Sequence, residues 1–321
     1  MPEIDGRDPT TALCPVGPNC DRTLPLTVTP AMQPASQPGK GILLYMAAFF
    51  FMSTMELMAK LLTQDLHVAQ AVWARYAGQT VIVVVWLFPQ LGQVVRTRYP
   101  GLQFARSVLL LIGTAVFFTA LTYLGLAEAS AVMNINPVLI TVGGAIFLGE
   151  TFGVKRAFGV GAALIGALIV IRPGTDVFSP ATLLPLISAS CYAGFILLTR
   201  KVGHDEDPRT SLLYAALLGA IITSIVVPFY WQTPDLRQVG LMCAIGILGA
   251  LGQFLMIQSV RYAEASAIAP FSYIALLVAA FWGYVAFGDV PDLATWIGGG
   301  IIVASGIYIW HRERSGFVPI R

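Results

Sequence analysis

From residue 41 onward the chain alternates between long apolar runs and short polar connectors. The runs show no polar–apolar alternation of period two, which argues against barrel strands. Segments apolar on every side are helices that face lipid or lie deep in protein. A bilayer core of about 30 Å takes roughly 20 helical residues per crossing. The pattern therefore predicts ten spans, over residues 41–62, 68–90, 104–124, 128–149, 155–172, 181–200, 211–231, 239–258, 264–287 and 292–310. Helix-breaking residues fall at their ends: Pro89, Pro100-Gly101, Pro173-Gly174, Pro180, Pro208, Pro234 and Pro291.

The two tails differ from this pattern. Residues 1–40 hold eight of the 20 prolines and no apolar period, so a disordered cytoplasmic tail is expected there. Its acidic, polar character precedes the first apolar run, the wrong order for a cleaved signal peptide. Residues 312–321 form a short C-terminal tail. With the N-terminus inside, the basic residues of the connectors gather on the cytoplasmic side, and only Arg172 and Arg237 remain in outer loops. Both termini are then cytoplasmic, and an inner (plasma) membrane is the expected location.

A repeat with a spacing of about 136–140 residues divides the spans into 41–172 and 181–311. Ala127-Glu128-Ala129-Ser130-Ala131 recurs as Ala263-Glu264-Ala265-Ser266-Ala267, and Gly149-Glu150 recurs as Gly288-Asp289. Gly159 and Gly161 recur as Gly298 and Gly300. Each half holds an odd number of spans, so the second half enters the membrane inverted. Inverted repeats build two-faced access around a midplane site.

Composition sharpens the class. The chain is 56% hydrophobic and 11% charged, against roughly 25% charged in soluble domains. A net charge of +2 gives no reason to expect nucleic acid. Four cysteines show no ligand spacing, and no buried histidine cluster is available, so neither a metal site nor a cofactor is expected. Nucleophile-elbow, metalloprotease and phosphate-loop motifs are absent, which argues against an enzyme or an ATP-driven pump.

Arg75 in span two, Ala-Glu-Ala-Ser-Ala followed by Pro137 in span four, and Gly149-Glu150 at its end, all within a five-plus-five architecture, resemble the EamA branch of the drug/metabolite transporter superfamily. The resemblance covers residues 41–311. The segment Ala269-Pro270-Phe271-Ser272-Tyr273 is similar to members that import S-adenosylmethionine or riboflavin, whereas Asp289 departs from the usual glutamate. The resemblance implies an all-α integral membrane protein of ten transmembrane helices in two inverted five-helix repeats. It also implies secondary transport of a small metabolite by alternating access, around a cavity lined by spans one, three, four, six, eight and nine.

Candidate site residues follow from the cost of polarity in lipid, at least about 2.5–3.5 kcal/mol per charge. Glu56 and Arg75 share a depth and are expected to pair, either facing the cavity, where the pair gates the outer side or exchanges partners with a charged substrate, or as a permanent structural ion pair, with no contact between them the remaining alternative. Lys60, one turn on, either snorkels to the surface or contacts a substrate carboxylate. Asn134 and Asn136 flank Pro137, which breaks the helical bond ladder and marks either a midplane site or a packing kink. Pro270 is its counterpart in span nine. Tyr192, Gln253, Phe271, Tyr273 and Trp282 complete the candidate contacts, each open to the alternative of helix packing. Glu128 and Glu264 begin their spans, where a helix dipole stabilises carboxylates. Lys155 or Arg156 is the expected partner of Glu150. The partners expected are a small-molecule substrate and the lipid bilayer, with proton or ion coupling through Glu56 one alternative beside exchange and facilitated diffusion. The oligomeric state is open between monomer and homodimer.

Overall fold

The computed structural model describes residues 38–148, 154–171, 179–202, 206–262 and 269–315. The expected tail over 1–40 falls almost wholly outside them, as do Glu150 and Glu264. The described residues are mostly helical, with no strand among them. Seven helices are long and apolar enough to cross a membrane, and three shorter apolar helices complete the ten spans. Apolar side chains crowd the outer surface, with Phe147, Phe229 and Leu236 at 78, 82 and 90% exposure. That surface suits lipid and not water.

In chain order the helices are α1 (Pro38–Leu62), α2 (Val68–Leu87), the short α3 (Leu91–Val94), α4 (Pro100–Tyr123), α5 (Leu126–Met133), α6 (Asn136–Leu148) and α7 (Val154–Ile171). The second half gives α8 (Leu183–Val202), α9 (Pro208–Val226), α10 (Leu236–Tyr262), α11 (Ile274–Phe287) and α12 (Leu293–Ser315). Local chemistry sets the ends. The His67 side chain accepts from the Ala69 N–H to cap α2, and Asp207 accepts from the Arg209 N–H to cap α9. Prolines occupy the first turn of α4 and α9, where a missing N–H costs nothing. Gly288, at φ 69°, ends α11 in the left-handed conformation that glycine tolerates.

Helices pack mainly across the repeats and not within them. Taking each helix with its principal neighbours gives a ring: α1, α10, α2, α9, α4, α8, α5/α6, α11 and back to α1. Members of the two halves alternate around it. The α7–α12 pair, again one helix from each half, packs outside the ring against α5. Helix equivalents run in opposite senses, as the odd count per half demands. The face bearing the N-terminus of α1 and the 91–99 connector is here face A; the opposite face, bearing Leu62 and Asp289, is face B.

Two of the cross-repeat contacts are glycine on glycine. A Cβ at Gly78 of α2 would stand 2.6 Å from the Gly246 Cα of α10. A Cβ at Gly298 of α12 would stand 2.5 Å from the Gly166 carbonyl oxygen of α7. Of the glycines repeated in the sequence, Gly298 therefore makes a close approach, while Gly161 and Gly300 have open space around them. Gly166, outside the repeated motif, is the partner that matters.

Candidate functional site

The interior of the ring collects the polar residues of the spans. On α1, Met52 and Met55 point to glycines 252 and 249 of α10, while Ser53 and Thr54 reach α11 through the Ala275 carbonyl and the Trp282 indole. Glu56 and Lys60 lie between these two sectors and turn inward. Tyr45 and Phe49, with ring centres 4.9 Å apart, continue the same stripe toward face A.

Glu56 and Arg75 are neighbours, but they do not form the expected ion pair. Arg75 acts on Glu56 electrostatically, yet no N···O approach within 4.0 Å joins them. Instead the Arg75 Nη1 donates to Thr114 Oγ1 at 3.1 Å. Thr114 is fixed in turn by donating to the Leu110 carbonyl at 2.8 Å and by a 3.0 Å bond with the Tyr76 hydroxyl. The Phe118 ring lies 5.9 Å below the guanidinium. The Arg75 Nε is buried without a hydrogen-bond partner. Tyr192, from α8, is half-buried, packs on Phe195 at 5.5 Å and lies within the electrostatic reach of Arg75. Gln253 shares the α10 stripe of Gly246 and Gly249 and faces the same interior by helical register.

The Lys60 ammonium has partners from both repeats at the end of α1. Its ammonium donates to the Leu124 carbonyl at 2.7 Å, stands 3.7 Å from Asp289 Oδ2 and lies 4.8 Å from the Phe287 ring centre. The first repeat supplies Lys60 and Leu124, the second Phe287 and Asp289. Together they join the two repeats at face B.

Span four is broken, as Pro137 suggests. The chain leaves α5 at Met133, turns through Asn134-Ile135 and re-enters a helix at Asn136. Pro137 has no N–H to give the Met133 carbonyl. The Ile135 N–H bonds to Val132 in place of the residue four back. At this break Asn134 Nδ2 and Asn136 Oδ1 are buried without partners among the described residues.

The remaining candidates scatter. Pro270 lies in the 3-10 segment Ala269–Tyr273 that leads into α11. Phe271 is 36% exposed. Tyr273 is buried, with its hydroxyl against Gly306 of α12, where a Cβ would stand 1.5 Å away. Trp282 donates its indole N–H to Thr54 Oγ1 at 3.1 Å on the α1–α11 seam.

Two further residues matter that hydropathy and spacing do not single out. Thr114 carries no charge and sits in an apolar span. Glu206 lies in a connector, yet its carboxylate accepts from the Arg98 N–H at 2.6 Å, the Tyr99 N–H at 3.2 Å, the Thr97 hydroxyl and the Gln103 amide. It thereby caps α4 from the other repeat at face A. Burial pushes its pKa up, but those hydrogen bonds outweigh burial and hold it below the ordinary carboxylate value. Among the described residues no group of three His, Cys, Asp or Glu side chains is placed to hold a metal.

The comparisons with known proteins match this architecture. The model of the EamA-like transporter family matches residues 39–172 and again 179–310. A riboflavin transporter of Vibrio cholerae is 30% identical over 247 residues, covering 75% of this chain and 83% of the relative. An S-adenosylmethionine uptake transporter of Rickettsia felis is 24% identical over 86% of this chain and 94% of its own length. The pseudopaline exporter CntI of Pseudomonas aeruginosa is 27% identical over 86% and 97%. A crystal structure 18% identical in sequence shares the fold, with a TM-score of 0.64 over 87% of this chain and 99% of that one. This chain belongs to the EamA-like transporter family and is a membrane transporter for a small molecule, not an enzyme.

Proposed function

We propose that the chain is a secondary carrier that moves a small polar or amphiphilic metabolite, amino-acid-like, S-adenosylmethionine-like or flavin-like, across the inner membrane by alternating access. Face A is cytoplasmic in this reading, because the basic connectors lie there. The observation that carries it is the bridge of Lys60 to Leu124 and Asp289 at face B, above an interior with orphaned polar atoms on Arg75 and Asn134, and we read that bridge as a closure. Buried polar atoms without partners cost free energy until a ligand or water satisfies them. A closure made of one half-exposed ion pair and one hydrogen bond is weak enough to open on a transport timescale.

The moving parts are not the two repeats as separate lobes. Each ring helix has both its main neighbours in the other half, so rocking one repeat would tear every lateral contact. Opening at face B needs α1 and α11 to shift near Lys60 and Asp289, with the break at Asn134-Ile135 and the 3-10 segment Ala269–Tyr273 as hinges. Glu56 is the group through which a proton would couple.

The test is counterflow into proteoliposomes, after a thermal-shift screen of amino acids, S-adenosylmethionine, flavins and nucleotides, since ligands of the native state raise its apparent stability. A carrier shows saturable exchange that an excess of unlabelled substrate accelerates. Flux that rises without saturation would instead mark a channel and end this reading. Repeating the assay with and without a pH gradient decides whether Glu56 carries a proton.

A further inference from the structure

Among the described side chains Arg106 is the one charged group that is buried, at 3% exposure. It stands on α4, about 9 Å inside the end of that helix at face A by a rise of about 1.5 Å per residue. The second repeat packs around it. The guanidinium lies over the Phe195 ring of α8 at 5.1 Å, and its Nη2 donates to the Ser211 carbonyl of α9 at 2.6 Å. Nε and Nη1 are buried without a hydrogen-bond partner among the described residues. Nor does a carboxylate among them approach within 4.0 Å.

A guanidinium keeps its proton at any physiological pH, so its burial cannot be relieved by giving up the charge. Relief in a low-dielectric seam requires an opposite charge. The neighbouring side chains do not supply one at contact. Glu206 acts on Arg106 electrostatically, yet both of its oxygens are taken one turn nearer face A, by Thr97, Arg98, Tyr99 and Gln103. Gln103 Oε1 is also buried and unpartnered, but it is a neutral acceptor that would answer an N–H and not the charge. The same is true of a water molecule.

We propose that Arg106 binds a compact monovalent anion, with chloride as its natural occupant, in the seam of α4, α8 and α9. The free N–H groups recognise the ion and the buried guanidinium compensates its charge. Valence follows from the surroundings. Phe195 belongs to an apolar cluster with Leu110 and Ala215, which offers no second cation. A dianion such as sulfate or phosphate would set surplus negative charge against Glu206. Repulsion from Glu206 also keeps the affinity modest, so the ion exchanges with the medium at face A. The site is separate from Glu56 and Arg75, since Arg75 is held at Thr114, two turns further along α4. It does not depend on what the carrier moves. Its occupant braces one helix of the first repeat against two of the second.

The full chain in detergent is titrated with sodium chloride against sodium gluconate, a bulky anion, at constant ionic strength. Melting temperature should rise and then saturate, because an ion that binds the folded chain stabilises it. The protein should broaden the chloride NMR line, and bromide should reverse the broadening by competition. Arg106→Gln should weaken chloride binding about tenfold or more, by loss of the buried charge. Glu206→Gln should tighten it several-fold, by loss of the repulsion.

A chloride effect that never saturates and is equal in Arg106→Gln, or a line that bromide does not sharpen, overturns the proposal. Saturation by acetate and not by chloride assigns the site to a carboxylate and overturns the halide. Should Arg106→Gln fail to fold, the other two proteins still decide. A parent without saturable chloride stabilisation, or a Glu206→Gln chain that binds chloride no more tightly than the parent, ends the proposal.

Discussion

Lys60, near the end of α1, and Asp289, just past α11, meet at 3.7 Å across the boundary between the two repeats. The lysine side chain is 13% exposed and the aspartate 49%, so this pair sits where protein gives way to the membrane surface. Two local features deliver it. The left-handed Gly288 turns the chain so that Asp289 faces back toward α1, and the Leu124 carbonyl is left over at the end of α4. Pairs this exposed contribute about 0–1 kcal/mol, enough to bias a closure and too little to hold the fold.

Asp289→Asn should therefore leave the fold intact and loosen face B. With the native cysteines replaced, a cysteine at position 114 should react with a membrane-impermeant maleimide supplied on the Asp289 side. The reaction should be several-fold faster in the Asp289→Asn background. Equal labelling rates in both backgrounds would show that the pair is not a closure.

The carboxylate of Glu206 makes a pH-dependent contribution with a definite sign. Its pKa is depressed in the folded chain, so its stabilisation is complete above the ordinary carboxylate value, 4.5, and is lost as pH falls through its own lower value. Glu206→Gln should lower the melting temperature at pH 7, and the difference from the parent should vanish near the acid end of a pH series. A difference that persists unchanged at low pH would assign the loss to packing.

The glycine crossings separate two kinds of small residue. Gly78→Ala or Gly298→Ala drives a methyl group into the opposing backbone and should cost about 1–3 kcal/mol. Gly161→Ala and Gly300→Ala have free space and should be neutral or stabilising by up to about 1 kcal/mol. Thermal unfolding of the four variants in one detergent distinguishes them, and similar melting temperatures would contradict the crossings.

Pro137→Ala gives back the N–H that the Met133 carbonyl lacks. Melting temperature should rise while the initial counterflow rate falls, because a straightened span four loses the break at Asn134-Ile135. A variant that is stabilised and transports at the parental rate would remove this hinge from the mechanism.

Single cysteines at positions 96 and 237 should label from opposite sides of the membrane. The 91–99 connector shares face A with Glu206, and Arg237 begins α10 at face B. Labelling of both from one side would break the inverted-repeat topology.

The sequence by itself determined the solvent and the repeat. Lipid offers no partner for a backbone N–H or carbonyl, so each crossing must be a self-satisfied helix, and the length and oiliness of each run can be read locally. The same holds for the caps at His67 and Asp207 and for the break at Pro137, which depend on residues within a turn of one another. Azimuth and partner are different matters. Hydropathy places Lys60 near a surface and Glu56 level with Arg75, but it cannot say that Leu124 and Asp289 take the lysine or that Thr114 takes the arginine. Only the tertiary structure decided that, because Leu124 and Asp289 lie 64 and 229 positions from Lys60, and Thr114 lies 39 from Arg75, all brought together by packing alone. The alternation of the two halves around the ring is likewise invisible locally. It depends on where glycines such as Gly78 and Gly246 let helices from opposite halves touch, which is a property of pairs of surfaces and not of any one span.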